Sequence, residues 1–339
     1  MEIKYKDNSL TIADQFQQKI KEERRNAKLV QIAPLIILAV LIFIFGMINK
    51  DFASLTNFNT ILNQLAIPLI LALGMTFVIL MGSIDLSVDG VMGLSGAVIS
   101  LLVLNSKTSI ALGPAAIVLV LLLGGAIGYL TGKIYVKGRI PSFMLSFSMS
   151  SIAAGIGLLT YQGIPATIKD PLIIGITSKE FLGINVVIWI SLAVFVIAYI
   201  IQEYTAFGRY VFAIGDNESI PKAMGVNIER VKILAFMWSG LCIALAGIIG
   251  ASKLGTGTVM IGVDNLFPAI TAVIVGGTSL SGGKGGVVNS LLGALIVTVL
   301  QNGLILAKVS PFIQTGINGL IIIAAVALSV SRGKRLVTK

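Results

Sequence analysis

Histidine is absent from this 339-residue chain, and Cys242 is its only cysteine. Disulfide frameworks, Cys/His metal sites and His-based catalytic dyads are thereby excluded, because each needs residues the chain does not have. Charge is scarce too: Asp, Glu, Lys and Arg together make up 12% of residues, about half the share of an ordinary soluble domain. What fills the chain instead is apolar. Hydrophobic residues reach 56% and the mean hydropathy is +0.97, the composition of a polytopic membrane protein.

The few charges are unevenly signed, with 25 Lys and Arg against 15 Asp and Glu, a net charge of +10. The basic residues sit in short segments between apolar runs rather than in one patch with aromatics, so a nucleic-acid partner is not expected. A spanning helix needs about twenty apolar residues. Segments of that kind fall near 30–49, 60–80, 86–104, 110–132, 141–161, 184–202, 232–252, 266–280, 286–307 and 311–330. The fifth, with its many serines, and the eighth, short and Gly-rich, carry the weakest signals. With the N-terminus inside, nineteen of the 25 Lys and Arg fall on the cytoplasmic side, as positive-inside topology requires. The fold expected is an all-α polytopic membrane protein with about ten transmembrane helices and both termini cytoplasmic, in the cell's inner membrane.

Residues 1–29 read as a cytoplasmic tail, mostly polar and unlike a cleavable leader. Within it Ile12, Phe16 and Ile20 recur at helical spacing beside basic residues, which suits a stretch lying near lipid headgroups. Residues 30–331 form the membrane domain, with a long cytoplasmic loop over 203–231, and residues 332–339 a basic C-terminus.

Asp85 and Asp89 are the only acidic residues between Asp51 and Asp170. A carboxylate inside a bilayer costs on the order of 2.5–3.5 kcal/mol on insertion scales, so the pair calls for a partner, a watery cavity or a function. Asp85 either caps the third span, where the helix dipole favours an anion, or lines a path; both can hold at once. Ser87 and the neighbouring Ser83 are available donors. Phe143, Asn289, Gln301 and Asn302 are further path candidates, the amides because facing lipid would leave them unsatisfied. One internal echo is visible: Gly82-Ser-Ile-Asp-Leu-Ser87 matches Gly276-Gly-Thr-Ser-Leu-Ser281, each ahead of a helix rich in small residues.

In the long loop, Asp216 or Asn217 is placed to cap a short helix of about seven residues. Pro221 sits early in it and Gly225 in the left-handed position that ends it. So short a helix needs an external surface to hold it.

Gly208-Arg-x-x-x-Ala-Ile-Gly-x-Asn217, followed by Ala223-x-Gly-Val, resembles the coupling loop of the permease subunits of ABC sugar importers, the ribose and related monosaccharide group. Gly82-Ser-Ile-Asp-Leu-Ser87, Pro141-Ser-Phe-Met144 and Val275-Gly-Gly-Thr-Ser-Leu-Ser-Gly-Gly-Lys-Gly285 are similar to three further blocks of that family. The sequence departs from the pattern at Ser83, Asp89, Asp216 and Asp264. The resemblance implies a transmembrane permease translocating a ribose-like sugar or related small polar solute. It implies a homodimer or heterodimer of permeases, a separate ABC ATPase subunit and an extracytoplasmic substrate-binding protein. Gly208, Arg209, Ala213, Gly215, Asn217, Glu218, Ala223 and Gly225 would then couple to the ATPase.

No catalytic residue, metal site or bound cofactor is expected on this chain; ATP and Mg²⁺ belong to the partner. Leu280-Ser-Gly-Gly-Lys284 imitates an ATPase signature, but Gly285 follows Lys284 where a phosphate loop needs Ser or Thr. Two alternatives stand beside this reading: an ion-coupled transporter using Asp85 and Asp89, and an ABC permease for a nucleoside, an amino acid or an autoinducer-type sugar.

Overall fold

The computed structural model describes residues 32–329. The N-terminal tail with its amphipathic stretch and the basic C-terminus lie outside the described residues. A helix stands in each of the ten apolar segments: α1 (Ile32–Ile48), α2 (Leu55–Leu80), α3 (Val88–Leu102), α4 (Pro114–Gly138), α5 (Ser142–Tyr161), α7 (Val186–Tyr204), α10 (Ile228–Leu254), α11 (Leu266–Val275), α12 (Val287–Leu306) and α13 (Pro311–Ser329). Three short helices complete the set: α6 (Pro171–Ser178), α8 (Ala206–Asn217) and α9 (Ser219–Ala223). Six of them, α2, α4, α5, α7, α10 and α12, are long and apolar enough to cross a bilayer. The chain is an all-α polytopic membrane protein.

Helix α2 is the central post. From Leu69 to Leu80 every residue is buried, and α7, α10, α11 and α12 all pack on it. The outer faces of α4, α5 and α7 are apolar and exposed, with Leu122, Phe147 and Leu192 among them, as lipid contact requires. Helix ends follow local chemistry. Ser54 caps α2 by accepting from the Asn57 N–H (3.1 Å), Asn227 caps α10 by accepting from Arg230 (2.9 Å), and Gly255 ends α10 in the left-handed conformation.

Helices α4 and α10 pack backbone to backbone. Gly124, Gly128 and Gly132 lie one turn apart, and a Cβ on Gly124 or Gly128 would collide with the carbonyl of Gly240 or Phe236. Small residues at a membrane helix contact permit this approach and the dispersion it brings.

Four strands of two residues each lie at the end opposite α8: β1 (Ala166–Thr167), β2 (Glu180–Phe181), β3 (Ile184–Asn185) and β4 (Thr256–Gly257). β1 pairs antiparallel with β4, Ala166 opposite Gly257, and β2 with β3 through Leu182-Gly183, both at positive φ as a tight hairpin demands. Asp170 caps the neighbouring α6 by accepting from Leu172 and Ile173.

Two expectations need correcting. The long loop holds two helices, not one of about seven residues, and α8 already begins at Ala206. Thr205 starts it by accepting from the Gly208 N–H (3.2 Å), and its glycines, costly in an isolated helix, let it pack on neighbouring backbone. The eighth segment, expected over 266–280, is helical for only ten residues before a glycine-rich stretch takes over.

Candidate functional site: two interrupted spans beneath a surface helix

Helices α3 and α11, at 15 and 10 residues, are both too short to span about 30 Å of hydrocarbon at 1.5 Å per residue. Each belongs to a span interrupted by non-helical backbone, which inside an apolar bundle must find partners for every N–H. Between α2 and α3 the chain runs non-helically from Met81 to Ser87, and α5 supplies the acceptors. Ser142 Oγ accepts from the Ile84 N–H (3.0 Å), Ser146 Oγ from Leu86 (2.8 Å) and Ser150 Oγ from Gly90 (2.9 Å). These serines sit four residues apart on one face of α5, so α3 begins about 12 Å farther along α5 than Ser142. The serines that weakened the fifth span as a sequence signal are what holds the break.

Asp85 is buried with both oxygens engaged: Oδ1 accepts from the Ser87 N–H (2.9 Å) and Oδ2 from the Ser239 hydroxyl of α10 (2.7 Å). It therefore ties the break to α10 while satisfying a backbone donor at the start of α3. Ser87 is buried at the N-cap position, with no capping bond from its own side chain. Asp89, half-buried in the first turn of α3, accepts from the Leu266 N–H (3.1 Å), the first residue of α11. Asp89 thus joins the starts of the two shortened helices.

The second break, between α11 and α12, repeats the turn of the first. Gly82 N–H donates to Ile79 O (2.9 Å) and Ser83 N–H to Val78 O (3.1 Å); Gly277 donates to Ile274 O (2.9 Å) and Thr278 to Val273 O (3.1 Å). Gly82 and Gly277 are both at positive φ, as a helix-ending glycine is. The echo is therefore real in backbone terms but shifted by one residue: Gly82 corresponds to Gly277, not Gly276. In this register Thr76-Phe-Val-Ile-Leu-Met-Gly82 aligns with Thr271-Ala-Val-Ile-Val-Gly-Gly277. The second break is four residues longer, and α12 starts only at Val287. There Gln202, buried at the end of α7, accepts from the Val287 N–H (2.7 Å), and Thr278 Oγ1 accepts from Gly286 (3.2 Å). Asn289 donates to Gly276 O (2.9 Å), and Ser290 meets Thr76 of α2 hydroxyl to hydroxyl (2.7 Å).

The two breaks touch each other and α8 at one place. The Leu80 carbonyl at the end of α2 accepts from the Gly283 N–H (2.9 Å). A Cβ on Gly215 of α8 would collide with that carbonyl and with Gly283 N, and one on Gly283 would press against Asp216 at 3.0 Å. A Cβ on Gly208 would strike the Gln202 carbonyl. The other face of α8–α9 is open, with Arg209, Asn217, Glu218, Ala223 and Gly225 exposed and the apolar Ile220 and Met224 at 55% and 79% exposure. Asn217, rather than Asp216, caps the turn into α9 by accepting from the Ser219 N–H (3.1 Å), and Gly225 takes the left-handed conformation beyond it. A cleft of about 1180 Å³ opens beside the helix pair, lined by Tyr135, Arg139, Phe143, Asp216, Glu218 and Lys232 among others.

Of the remaining candidates, Ala213 faces partly inward on α8, Gln301 is half-buried on α12 and Asn302 is buried, its Oδ1 unpaired like Thr298 Oγ1 one turn before it. The three sequence blocks at Gly82, Gly215 and Gly283 thus converge, and Pro141-Ser-Phe-Met adjoins them. Asn302 is not part of the convergence. Sequence reasoning missed Gln202 and Ser239, which stand unmarked in long helices; Ser142, Ser146 and Ser150 could have been found from their spacing of four.

Interrupted spans in an all-α membrane bundle, joined at one end to an exposed surface helix, suit a membrane transport subunit. Residues 57–326 match the family model described as branched-chain amino acid transport system / permease component. The chain belongs to that family. It is 40% identical over 297 residues to the ribose import permease protein of Haemophilus influenzae, covering 86% of this chain and 90% of that one. The ribose import permease protein of Bacillus subtilis is 34% identical over 324 residues, covering 93% and 97%. The autoinducer 2 import system permease protein of Shigella flexneri is 30% identical over 299 residues, covering 87% and 85%. No solved structure matches the chain. As a permease component the protein is a cell-membrane transport subunit and not an enzyme.

Proposed function

We propose that this chain is the membrane-spanning subunit of an ATP-driven importer that carries ribose, or a sugar close to it, into the cytoplasm. The observation that carries the reading is the 40% identity to a ribose import permease over nearly the whole of both chains. The junction supports it. A helix pair exposed on one face and in backbone contact with two interrupted spans on the other is suited to receive a push from a docked partner. The partner is an ABC ATPase that uses ATP and Mg²⁺, the chain itself binding no cofactor. An extracytoplasmic binding protein delivers the sugar, and two permease chains form the path. The spans number ten, with both termini in the cytoplasm.

Ion coupling through Asp85 and Asp89 is disfavoured by what these carboxylates already do. One bridges the first break to α10 and the other caps α11, so cyclic protonation would disrupt the breaks themselves. Deleting the gene in its host is expected to abolish high-affinity uptake of labelled ribose, with restoration by a plasmid copy. Uptake unchanged in the deletion strain would contradict the proposal.

A further inference from the structure

Among the described residues there is one ion pair, and it stands at the corner between α8 and α9. Glu218 Oε2 lies 2.8 Å from Lys232 Nζ on α10, the side chains 46% and 14% exposed. The Lys232 ammonium also lies 5.5 Å from the centroid of the Tyr135 ring on α4. The Tyr135 ring also packs on Phe236, centroid to centroid 5.6 Å, and its hydroxyl is 3.1 Å from the Ser83 hydroxyl. Ser83 is buried in the break between α2 and α3. An unbroken chain of contacts thus runs from the exposed helix pair through two helices to the interrupted span.

We propose that Glu218, Lys232, Tyr135 and Ser83 form a latch that holds the α8–α9 corner and the first break in the arrangement seen here, and that it must part for the break to move. The inference rests on the importer reading above. Its physical basis is a contrast between two kinds of contact. At Gly215 the helix pair meets Leu80 and Gly283 backbone to backbone, which transmits a push but no directional preference. The latch is polar and directional, and its two middle members stand on α4 and α10, fastened together by the glycine stripe. That pair is a fixed reference. Displacing the α8–α9 corner relative to it lengthens the Glu218–Lys232 contact, and displacing the first break lengthens the Tyr135–Ser83 contact. A contact made in one of two arrangements and lost in the other biases their equilibrium by its own strength. These four are positioning residues; none is assigned contact with solute.

The test uses the whole transporter, purified through a tag on this chain and reconstituted in proteoliposomes, with labelled ribose moved per ATP hydrolysed as the readout. Residues along coupling networks shift such balances by roughly several-fold to tenfold. Glu218→Lys and Lys232→Glu should each lower the ratio by about tenfold, and the two together should restore it to within about twofold of wild type. Tyr135→Phe and Ser83→Ala should each lower it by about threefold, with no further loss when combined, because each removes the same hydroxyl contact. A charge swap no better than either single change, or additive losses at Tyr135 and Ser83, would overturn the latch. Tyr135→Phe removes one oxygen and keeps the ring, so it carries the test should a charge variant fail to assemble. Ribose uptake by the wild type that is indifferent to ATP would overturn the importer reading, and the latch with it; ATP-dependent wild-type uptake with variants that miss the pattern above overturns the latch alone.

Discussion

Gly215 shows how much can rest on the absence of a single side chain. Its Cα is the point at which α8 reaches the end of α2 and the second break, and a methyl group there would occupy the space of the Leu80 carbonyl and the Gly283 N–H. Neither obstacle is a flexible side-chain tip, so the backbone itself must shift. Gly215→Ala is expected to destabilise the protein by about 1–3 kcal/mol, the usual range for overpacking, and to impair transport more than stability alone explains. Gly155 on α5, with open space around its Cα, is the control: Ala there should leave the thermal midpoint of the detergent-solubilised protein unchanged or slightly raised. Equal midpoints for the two variants would contradict the close approach. Asp85 belongs to the same scale. Its isolation in an apolar stretch made it conspicuous in the sequence, but its partner Ser239 lies 154 positions away. A lone serine in an apolar helix carries no mark of the carboxylate it faces.

At the scale of elements, what was legible followed from local chemistry, and what was not followed from packing. Apolar runs announced helices, six of them long enough to cross a bilayer, because hydropathy is read residue by residue, and Gly225 announced the end of α9 because only its own φ is involved. The length of α8 was hidden because two glycines argue against a helix unless their neighbours are known. The short reach of α11 was hidden for the converse reason, apolar residues continuing to its last turn and small ones beyond. Helix α5 is the instructive case. Its three inward serines satisfy backbone donors of another segment, whereas Ser148 is exposed and donates to Met144 O within its own helix (2.9 Å). Ser146→Ala leaves the half-buried Leu86 N–H without an acceptor and should cost about 1–3 kcal/mol. Ser148→Ala should fall within about 0.5 kcal/mol of wild type. Thermal unfolding of the two purified variants decides the matter, and similar midpoints would mean that the break does not depend on α5.

For the whole molecule, the arrangement is one of economy in moving parts. Helices α2, α4 and α10 form a tightly packed frame. The two interrupted spans meet that frame at Asp85 and Thr76 and each other at Asp89, and their breaks meet at Leu80 and Gly283. The exposed helix pair touches both breaks at once, so one displacement at the surface reaches both spans without a long relay. On the importer reading, differential binding of ATP to the partner subunit would then suffice to bias two arrangements of the path. The most direct test of this account encloses labelled ribose outside, and ATP inside, proteoliposomes that carry the complete transporter with its ATPase facing the lumen. The account predicts ribose accumulation that requires hydrolysable ATP and fails with a non-hydrolysable analogue. Accumulation driven by a proton or sodium gradient in the absence of ATP would contradict it.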